Sequence, residues 1–476
     1  MKIKNLFLTT GCITTAFGLQ VQAQQATNFV VIFLDDMGYG DLSVTGATGY
    51  QTPNIDRLSN EGMRFTNFYA AQAVSSASRA GLLTGCYPNR IGFSGALDHT
   101  SKVGIADTEE TIAETLKKKD YTCGAFGKWH LGHLPQFLPT HHGFDEYCGL
   151  PYSNDMWPYH PQLISYFPDL PLIEGDQVIH PKVTPEDQTQ LITLYTERAI
   201  RFIEKNKEKP FFVYLAHSMP HVPLYVSEKF KGKSKQGLYG DVMMEIDWSV
   251  GEILKTLEKF DLDKNTLLVF TSDNGPWINY GNHAGSTGGL REGKGGVFEG
   301  GQRVPCIMRW PGKISAGVVC NQLSSTIDLL PTFAHISGAE LPALTIDGVN
   351  IISLMTDQET LSSPRKYFLY YYRQNDLNAI RNDRFKLILP HTGRTYEGFL
   401  PGNDGLPGQI DERHFFEMAL YDMRRDPGER YDVKDQYPEI VNELMQIAEE
   451  ARKDLGDDLV NEKGTGRRPI GRLIYE

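Results

Sequence analysis

Runs of consecutive apolar residues alternate with amphipathic stretches over most of this chain. Four runs, at Asn28–Leu34, 121–126, Phe211–Ala216 and 267–271, are mostly apolar and are bounded by polar or turn residues. An unbroken apolar run of this length is typical of a strand that is buried on both faces of a sheet. We therefore predict four strands at the centre of a large sheet.

Amphipathic stretches at 111–119, 188–206 and 243–260 predict helices between these strands. Strands that alternate with helices form a mainly parallel sheet flanked by helices, so the predicted fold class is α/β. Ligands of such sheets bind at the carboxyl ends of the strands. Polar clusters follow several of the predicted strands, so we expect a functional site at that edge of the sheet.

The pattern changes towards the C-terminus. Short runs at 367–372, 377–381 and 385–389 are separated by Asn, Asp and Arg, and they predict an antiparallel meander. A helix is predicted to follow from Pro438 to about Leu455. These elements predict a smaller C-terminal α+β subdomain with an antiparallel sheet.

The polar stretch 358–364 ends in a proline and is interpreted as a linker. We therefore predict a signal peptide at 1–23, a catalytic α/β domain at 24–361 and a C-terminal α+β subdomain at 362–476.

Residues 1–23 have the organisation of a secretory signal. Lys2 and Lys4 precede a largely apolar stretch, and small residues lead up to Ala23. The stretch is short for a membrane span. We favour cleavage after Ala23 over a lipoprotein signal at Cys12, because the apolar run before Cys12 is very short. The sequence thus predicts a periplasmic or secreted protein with no transmembrane segment.

Composition and charge narrow the classes of function. The chain has 476 residues, 40% of them apolar, so it can bury a large core. Its 47 basic and 59 acidic residues give a net charge of -12, which argues against nucleic-acid binding, because phosphate contacts need Lys and Arg. Any anion specificity must come from a local pocket. The cysteines beyond Cys12 form no CxxC pair, and we interpret them as buried thiols.

Two pairs of residues with side-chain oxygens follow predicted strands. Asp35 and Asp36 come directly after the first strand, and Asp273 and Asn274 follow the fourth. Two buried carboxylates side by side need a cation to neutralise them, and carboxylate and amide oxygens suit calcium or magnesium. Taken alone, the first pair also fits an acidic turn and the second an Asn-Gly turn. Two such strand ends in one α/β chain can face a single ion.

A run of small residues around Ser75 leads into a predicted short helix, and Arg79 follows one turn later. The free amides and the dipole at a helix N-terminus favour an anion, and Arg79 adds a fixed cation. The segment therefore predicts an anion site with Ser75 as candidate nucleophile. A plain serine N-cap is the other interpretation of these residues taken alone.

Four dispersed basic residues complete the candidate chemistry. Lys128, His130 and His221 follow predicted strands, and Lys294 lies in a glycine-rich loop. A lone His is usually structural and a lone Lys usually exposed, but functional groups concentrate in such loops.

These motifs together resemble the type I sulfatases. Ser75 to Gly85 resembles that family's modification signature in its serine form, although most members have Cys and Pro at the positions of Ser75 and Ala77. Further motifs of the family occur here in the family's order, at 34–41, 52–58, 127–132, 272–275, 298–301 and 421–429. The motif at 149–155 is typical of the arylsulfatase A and N-acetylgalactosamine-6-sulfatase branch, which this chain resembles most.

The resemblance implies an alkaline-phosphatase-like fold and one calcium ion held by Asp35, Asp36, Asp273 and Asn274, with modified Ser75 completing the shell. It implies that a maturation enzyme oxidises Ser75 to formylglycine (3-oxoalanine), whose hydrate is the nucleophile. The further roles that it implies are as follows: Arg79 holds the formylglycine, Lys128 and His130 contact it, His130 is a base for sulfate elimination, Lys128 and Lys294 bind sulfate, and His221, with Lys294, protonates the leaving alcohol.

The branch acts on sulfated galactose-type sugars and sulfolipids. We therefore expect a carbohydrate sulfatase that acts in an exo fashion on terminal sulfated galactose or N-acetylgalactosamine of host glycans, such as mucin O-glycans or glycosaminoglycan fragments. Candidate sugar contacts are His99, Asn154, Asp155, His160, Trp277 and Arg291, which lie in loops predicted to rim the site. The alternative is a phosphatase or phosphodiesterase of the same fold, which would need a second metal set that the sequence does not show.

Overall fold

The structure is a computed structural model that describes residues 26–357 and 362–473. The predicted signal peptide at 1–23 lies outside the described residues, and so does most of the predicted linker, at 358–361.

The described residues form one large sheet and four small ones. The strands, in chain order, are β1 (Asn28–Leu34), β2 (Met63–Phe65), β3 (Phe68–Tyr69), β4 (Val103–Gly104), β5 (Thr122–Gly127), β6 (Glu146–Gly149), β7 (Leu172–Glu174), β8 (Gln177–His180), β9 (Phe211–Ala216), β10 (Thr266–Ser272), β11 (Cys306–Arg309), β12 (Val318–Cys320), β13 (Ser324–Ser325), β14 (Phe368–Tyr372), β15 (Asp376–Arg381), β16 (Phe385–Ile388), β17 (His391–Thr395), β18 (Asp411–Phe416), β19 (Ala419–Asp422) and β20 (Gly471–Arg472).

The α-helices are α1 (Pro53–Glu61), α2 (Ser75–Thr84), α3 (Ile112–Lys117), α4 (Pro185–Gln188), α5 (Leu191–Asn206), α6 (Leu238–Lys259), α7 (Glu299–Gln302), α8 (Leu329–Ser337), α9 (Ile352–Thr356) and α10 (Pro438–Leu455). The three helices predicted between strands correspond to α3, α5 and α6. Helix α6 begins before residue 243, because Tyr239 and Val242 extend its buried apolar face.

The large sheet has ten strands in the spatial order β12-β2-β11-β10-β1-β9-β5-β6-β7-β8. The four strands predicted from apolar runs are its centre, β10-β1-β9-β5, and all three of their pairings are parallel. Antiparallel pairs occur towards both edges, at β10 with β11 and at β6 with β7. The prediction of a mainly parallel α/β sheet is therefore confirmed.

Successive side chains of β1 point to opposite faces of the sheet and enter two different cores. Phe29, Val31 and Phe33 pack with α2, α3 and α8, whereas Val30 and Ile32 pack with α1, α5 and α6. Burial on both faces explains why β1 has no polar residue between Phe29 and Leu34. The strand is a rigid support for the two aspartates that follow it.

The C-terminal strands β14-β15-β16-β19 form an antiparallel sheet against which α10 packs. The meander and the helix from Pro438 are thus confirmed. Strands β17 and β18 form a separate antiparallel pair that approaches the large sheet's carboxyl edge. Near the C-terminus, β20 pairs with β4 of the N-terminal part, at Gly471 and Gly104.

All five cysteines in the described part of the chain are buried and free, as interpreted from the sequence. No helix of the described ranges combines the length and the apolar character needed to span a bilayer.

Candidate active site

The carboxyl ends of β1 and β10 lie side by side, because the two strands pair in parallel. This pairing brings the residues that follow them, Asp35, Asp36, Asp273 and Asn274, to one point. The backbone N–H of Asp36 donates to Asp273 Oδ1 at 3.1 Å. Asp36 has a left-handed φ of 65°, a strained conformation of the kind that clusters at functional sites.

Ser75 is the first residue of α2, and its hydroxyl lies within this group of acids. Ser75 Oγ donates to Asp35 Oδ1 at 2.9 Å and contacts Asp273 Oδ2. It accepts from Lys128 Nζ at 2.9 Å, and Arg79 Nε approaches it at 3.4 Å. The side chain is 2% exposed. The helix N-terminus, two cations and two carboxylates thus surround a single buried hydroxyl, and the anion site stays a prediction.

Gly127 directs Lys128 into the site. Its φ of +118° is left-handed, and a Cβ there would lie 1.8 Å from the carbonyl oxygen of Ala216, so only glycine fits. The tight turn lets the N–H of Lys128 donate to that carbonyl at 2.8 Å. The Lys128 ammonium then reaches Asp35 Oδ2 at 2.6 Å.

Fully buried charges of both signs neutralise one another here. Burial alone would raise the pKa of Asp35, but Lys128, His221 and Arg79 hold it well below its usual range. Burial and the neighbouring Asp35 raise the pKa of Asp273 to about 6, although Arg79 Nη2 donates to it at 2.8 Å. Burial lowers the pKa of the Lys128 ammonium.

Asp36 has a second set of partners. Lys294 Nζ donates to it at 2.9 Å, and Asn274 Nδ2 donates to it at 2.7 Å. This orientation leaves Asn274 Oδ1 buried without a hydrogen-bond partner. Adjacent carboxylates and an unsatisfied amide oxygen are the donor set of a hard divalent cation, so these residues fit the calcium that the resemblance implies.

The two histidines have defined tautomers. His130 Nε2 contacts the carbonyl oxygen of Leu97 at 2.7 Å, and His221 Nδ1 contacts that of Val222. A carbonyl only accepts, so each of these nitrogens carries hydrogen. His130 Nδ1 has no partner, and burial, Lys128 and Arg79 lower the pKa of its ring well below the usual value. His221 Nε2 lies 3.6 Å from Asp36 Oδ2, and Oδ and ring nitrogen atoms of Asp35, Asp36 and His221 cluster within 4.8 Å.

Five of these residues, namely Ser75, Lys128, His130, His221 and Lys294, help to line a cavity of about 160 Å³. Its lining consists of Val74, Ser75, Ala96, Lys128, His130, Ser153, Asp155, Met156, His221, Trp277, Lys294, Tyr372 and Arg394. The cavity lining thus brings together the predicted nucleophile, Ser75, and the predicted general acid, His221. It also contains Lys128, His130 and Lys294.

Two of the six candidate sugar contacts, Asp155 and Trp277, are part of this lining. His160 lies behind Asp155, at 3.8 Å between Nε2 and Oδ2. Asn154 is fully buried and donates to Gln188 and to the carbonyl of Pro223.

His99 packs against Tyr166 and Phe167. The Arg291 guanidinium turns away from the cavity to Tyr421 and Glu397. These four residues lie outside the lining of this cavity, and their assignment as sugar contacts stays a prediction.

The sequence reasoning missed several lining residues. Ser153 belongs to the motif at 149–155 and could have been selected from it. Tyr372 and Arg394 come from β14 and β17 of the C-terminal part. No motif marked them, because their approach to Lys294 depends on how the C-terminal sheets dock.

Three family models match this chain. One described as "Sulfatase" matches residues 27–339, one described as "N-sulphoglucosamine sulphohydrolase, C-terminal" matches 293–397, and one described as "C-terminal region of aryl-sulfatase" matches 363–471.

Curated proteins and solved structures are similar over nearly the whole length. The chain is 38% identical to N-acetylgalactosamine-6-sulfatase of Mus musculus, covering 93% of this chain and 89% of that protein. It is 36% identical to arylsulfatase A of Bos taurus, covering 92% and 89%. The structure superposes on PsFucS1 sulfatase from Pseudoalteromonas sp. with a TM-score of 0.80, 27% identity and 90% coverage of each chain. These similarities confirm the predicted resemblance and the alkaline-phosphatase-like fold.

Proposed function

This chain belongs to the sulfatase family and is a sulfuric ester hydrolase, and we propose that it removes sulfate from terminal galactose or N-acetylgalactosamine of host glycans. The proposed nucleophile is the hydrate of formylglycine made from Ser75, and the proposed cofactor is calcium. The observation that carries the proposal is the buried Ser75 hydroxyl, which lies among Asp35, Asp273 and Lys128 at the inner end of the cavity.

The proposed metal ligands are Asp35, Asp36, Asp273 and Asn274, with the modified residue 75 beside them. The buried Asn274 Oδ1, which lacks a partner, supports this assignment. A bound divalent ion would supply positive charge for the sulfate oxygens. Oxygen ligands alone accept magnesium as well as calcium, and calcium is preferred here by family resemblance.

Formylglycine explains why a serine at this position can serve a catalytic cycle. A serine hydroxyl would form a stable sulfate ester. The hydrated aldehyde would supply two oxygens. One would attack sulfur as the bond from sulfur to the alcohol oxygen breaks, and deprotonation of the other would re-form the aldehyde as the C–O bond to sulfate breaks. Because Ser75 carries no such group when translated, the proposal includes a formylglycine-generating enzyme as maturation partner.

The cations around Ser75 would orient and stabilise this group. Arg79 is fixed by Asp273 at 2.8 Å and by the carbonyl of Lys128 at 3.2 Å, so its Nε is aimed at residue 75. Lys128 and Lys294 line the cavity from two sides, where both ammonium groups can bind sulfate oxygens. The net charge of -12 gives the chain no overall field that attracts a sulfated substrate, so these two local cations would provide the attraction.

The histidine tautomers divide acid and base roles. His130 carries hydrogen on Nε2, which leaves the lone pair of Nδ1 to accept a proton from the formylglycine hydrate. His221 carries hydrogen on Nδ1, so its Nε2 is the atom that, when protonated, donates to the departing alcohol oxygen. We propose His221, with Lys294 beside it, as the general acid.

Exo action is part of the proposal by family resemblance. The cavity of about 160 Å³ around Ser75 has room for the sulfate group and part of the sugar ring that carries it. Asp155 and Trp277 would contact the sugar ring. The Asp155 carboxylate would accept from sugar hydroxyl groups, and the Trp277 ring would pack its aromatic face against the sugar. The mammalian relative's name, N-acetylgalactosamine-6-sulfatase, supports galactosamine as the sugar.

A periplasmic or secreted location, with cleavage after Ala23, belongs to the same proposal, because host glycans lie outside the cell. Endogenous processing can be checked by N-terminal sequencing of protein from the native host. Gln24 as the first residue supports it, and an intact Met1 contradicts it.

The proposed activity is tested with matched sugars. Protein matured together with a formylglycine-generating enzyme is assayed on N-acetylgalactosamine 6-sulfate, 4-sulfate and 3-sulfate and on galactose 6-sulfate, with the 6-phosphate as control. Release of sulfate from at least one galactose-type sugar, abolished by Ser75→Ala, is the expected result. Turnover of the phosphate alone would overturn the proposal.

A further inference from the structure

The backbone of Lys294 is held by the C-terminal part of the chain. The hydroxyl of Tyr396 donates to the carbonyl oxygen of Lys294, and Arg394 Nη1 donates to the same oxygen at 3.2 Å. Arg394 Nη1 also lies 3.3 Å from the Tyr396 hydroxyl. Tyr396 follows β17 directly, so these donors come from outside the large sheet that carries the other catalytic candidates.

A second attachment fixes the same loop two residues earlier, at Glu292. The carboxylate of Glu292 accepts from the Thr395 hydroxyl and, at 2.8 Å, from the N–H of Tyr396. Glu292 has a left-handed φ of 59°, so the loop is held in a conformation that it would not favour alone. Its carboxylate is not available to substrate, because both oxygens bind the C-terminal segment.

Gly295 allows the close packing between the two parts. A Cβ at this position would lie 2.7 Å from Arg394 Nη1 and 3.1 Å from the Tyr372 hydroxyl. The Arg394 guanidinium is itself held by Glu412, to which Nη2 donates at 2.6 Å. The loop is therefore clamped between side chains that are fixed at their other ends.

The side chain of Lys294 projects from this clamp in the opposite direction. Its ammonium donates to Asp36 at 2.9 Å and lies 4.5 Å from the centre of the Trp277 ring. The direction of a lysine side chain depends on the position of its backbone. Displacement of the Lys294 carbonyl would therefore move the ammonium relative to the sulfate that it is proposed to bind.

We propose that Tyr396, supported by Arg394, is a positioning residue that acts on the reaction through Lys294. This inference rests on the sulfate-binding role of Lys294 in the proposed function. The C-terminal segment thereby completes the active site instead of only covering the large sheet. Tyr396 itself has no contact with the reacting atoms, because its hydroxyl ends on the main chain of residue 294.

The test compares two tyrosine-to-phenylalanine variants of the full-length, matured enzyme. Tyr396→Phe removes the donor to Lys294. Tyr371→Phe is the matched control, because the buried Tyr371 hydroxyl donates to the carbonyl of Gly456 at 2.9 Å, away from the cavity lining. Tyr396→Phe should raise both KM and the inhibition constant of inorganic sulfate about fivefold, as expected for one hydrogen bond. Tyr371→Phe should leave both constants unchanged, although it should shift Tm by about as much as Tyr396→Phe does.

A double-mutant cycle shows whether the effect passes through Lys294. In a Lys294→Ala background, Tyr396→Phe should change sulfate inhibition by less than about twofold, because the group that it positions is gone. An equal loss in both backgrounds, or constants for Tyr396→Phe that match the control, would overturn the inference. Thr395→Val, which removes the hydroxyl that the same segment donates to Glu292, replaces Tyr396→Phe if that variant does not fold. Wild-type kinetics in Lys294→Ala itself would instead refute the sulfate-binding role.

Discussion

The ammonium group of Lys128 donates to the hydroxyl oxygen of Ser75 at 2.9 Å and, from the same position, to Asp35 at 2.6 Å. A single buried cation thus contacts both the candidate nucleophile and the carboxylate proposed to bind the metal. Lys128 is 1% exposed, so its ammonium makes these contacts in a largely buried environment. The contact makes Lys128 the most direct target for mutation.

Lys128→Ala should lower kcat/KM on a sulfated sugar by about 100-fold or more, because it removes a preorganised charge from the developing transition state. Lys117→Ala is the control, since Lys117 forms a surface ion pair with Asp145 and should leave turnover unchanged. Steady-state kinetics measure both. A Lys128→Ala variant within a factor of about three of wild type would contradict the assigned role.

Removal of divalent cations should inactivate the enzyme and lower its Tm. Without a cation, burial and the neighbouring Asp35 raise the pKa of Asp273 to about 6, although Arg79 donates to it at 2.8 Å. Dialysis against a chelator followed by differential scanning calorimetry measures the loss, and added calcium should restore Tm and turnover.

Asn274→Leu should reproduce the effect of the chelator without any chelator, since it deletes the unsatisfied Oδ1 and keeps the number of side-chain heavy atoms. It also removes the Nδ2 donor to Asp36, so loss of the response to added calcium is the result that identifies the metal effect. If dialysis against the chelator leaves the Tm and activity of the wild-type protein unchanged, the assignment of a bound metal is wrong. Restoration by magnesium and not by calcium would correct only the identity of the ion.

His221→Ala should discriminate between leaving groups. A sugar alkoxide needs a proton as it departs, whereas 4-nitrophenolate leaves without one. We expect a loss of about 100-fold or more on a sulfated sugar and of less than about tenfold on 4-nitrophenyl sulfate. Equal losses on both substrates would contradict the general-acid role.

His217 should affect stability and not catalysis. It is fully buried, lies outside the cavity lining and pairs with Ser249 at 3.0 Å. Burial lowers the pKa of His217 to about 3, whereas the pKa of a histidine in the unfolded chain is about 6.5. Its stabilising effect is therefore present above about pH 6.5 and is lost as the pH falls towards 3, because the unfolded state binds the proton first.

His217→Gln removes this titration. The difference in the free energy of unfolding between wild type and variant should shrink by about 3 kcal/mol between pH 7.5 and 4.5, as measured by urea denaturation. A difference that is constant with pH would contradict the buried neutral state. Turnover at pH 7.5 should stay close to wild type, in contrast to His221→Ala.

The sequence was sufficient for the four central strands of the large sheet and for the place of the metal-binding candidates at its carboxyl edge. Apolar runs such as Asn28–Leu34 are long enough to identify strands buried on both faces, and polar residues directly after them must lie at the carboxyl edge. Ser75 and Lys128 were recognisable because each lies in a short motif whose neighbours fix its local conformation. Local signals of this kind need no knowledge of distant contacts.

The rest of the site depends on contacts that the sequence does not encode locally. Arg394 reaches the cavity only because β17 docks against the loop that contains Glu292 and Lys294. Arg291 was expected to border the cavity, but Tyr421 and Glu397 draw it to the C-terminal side. Both outcomes follow from the packing of one part of the chain against another, which periodicity and motif spacing leave undetermined.

The central claim is that Ser75 is converted to formylglycine, and peptide mass spectrometry of active protein from its native host tests it most directly. The account predicts that the peptide containing Ser75 lacks two hydrogens relative to its translated sequence and reacts with a hydrazide. An unmodified serine in protein that turns over substrate would contradict the formylglycine mechanism and would favour a phosphatase-like use of the Ser75 hydroxyl.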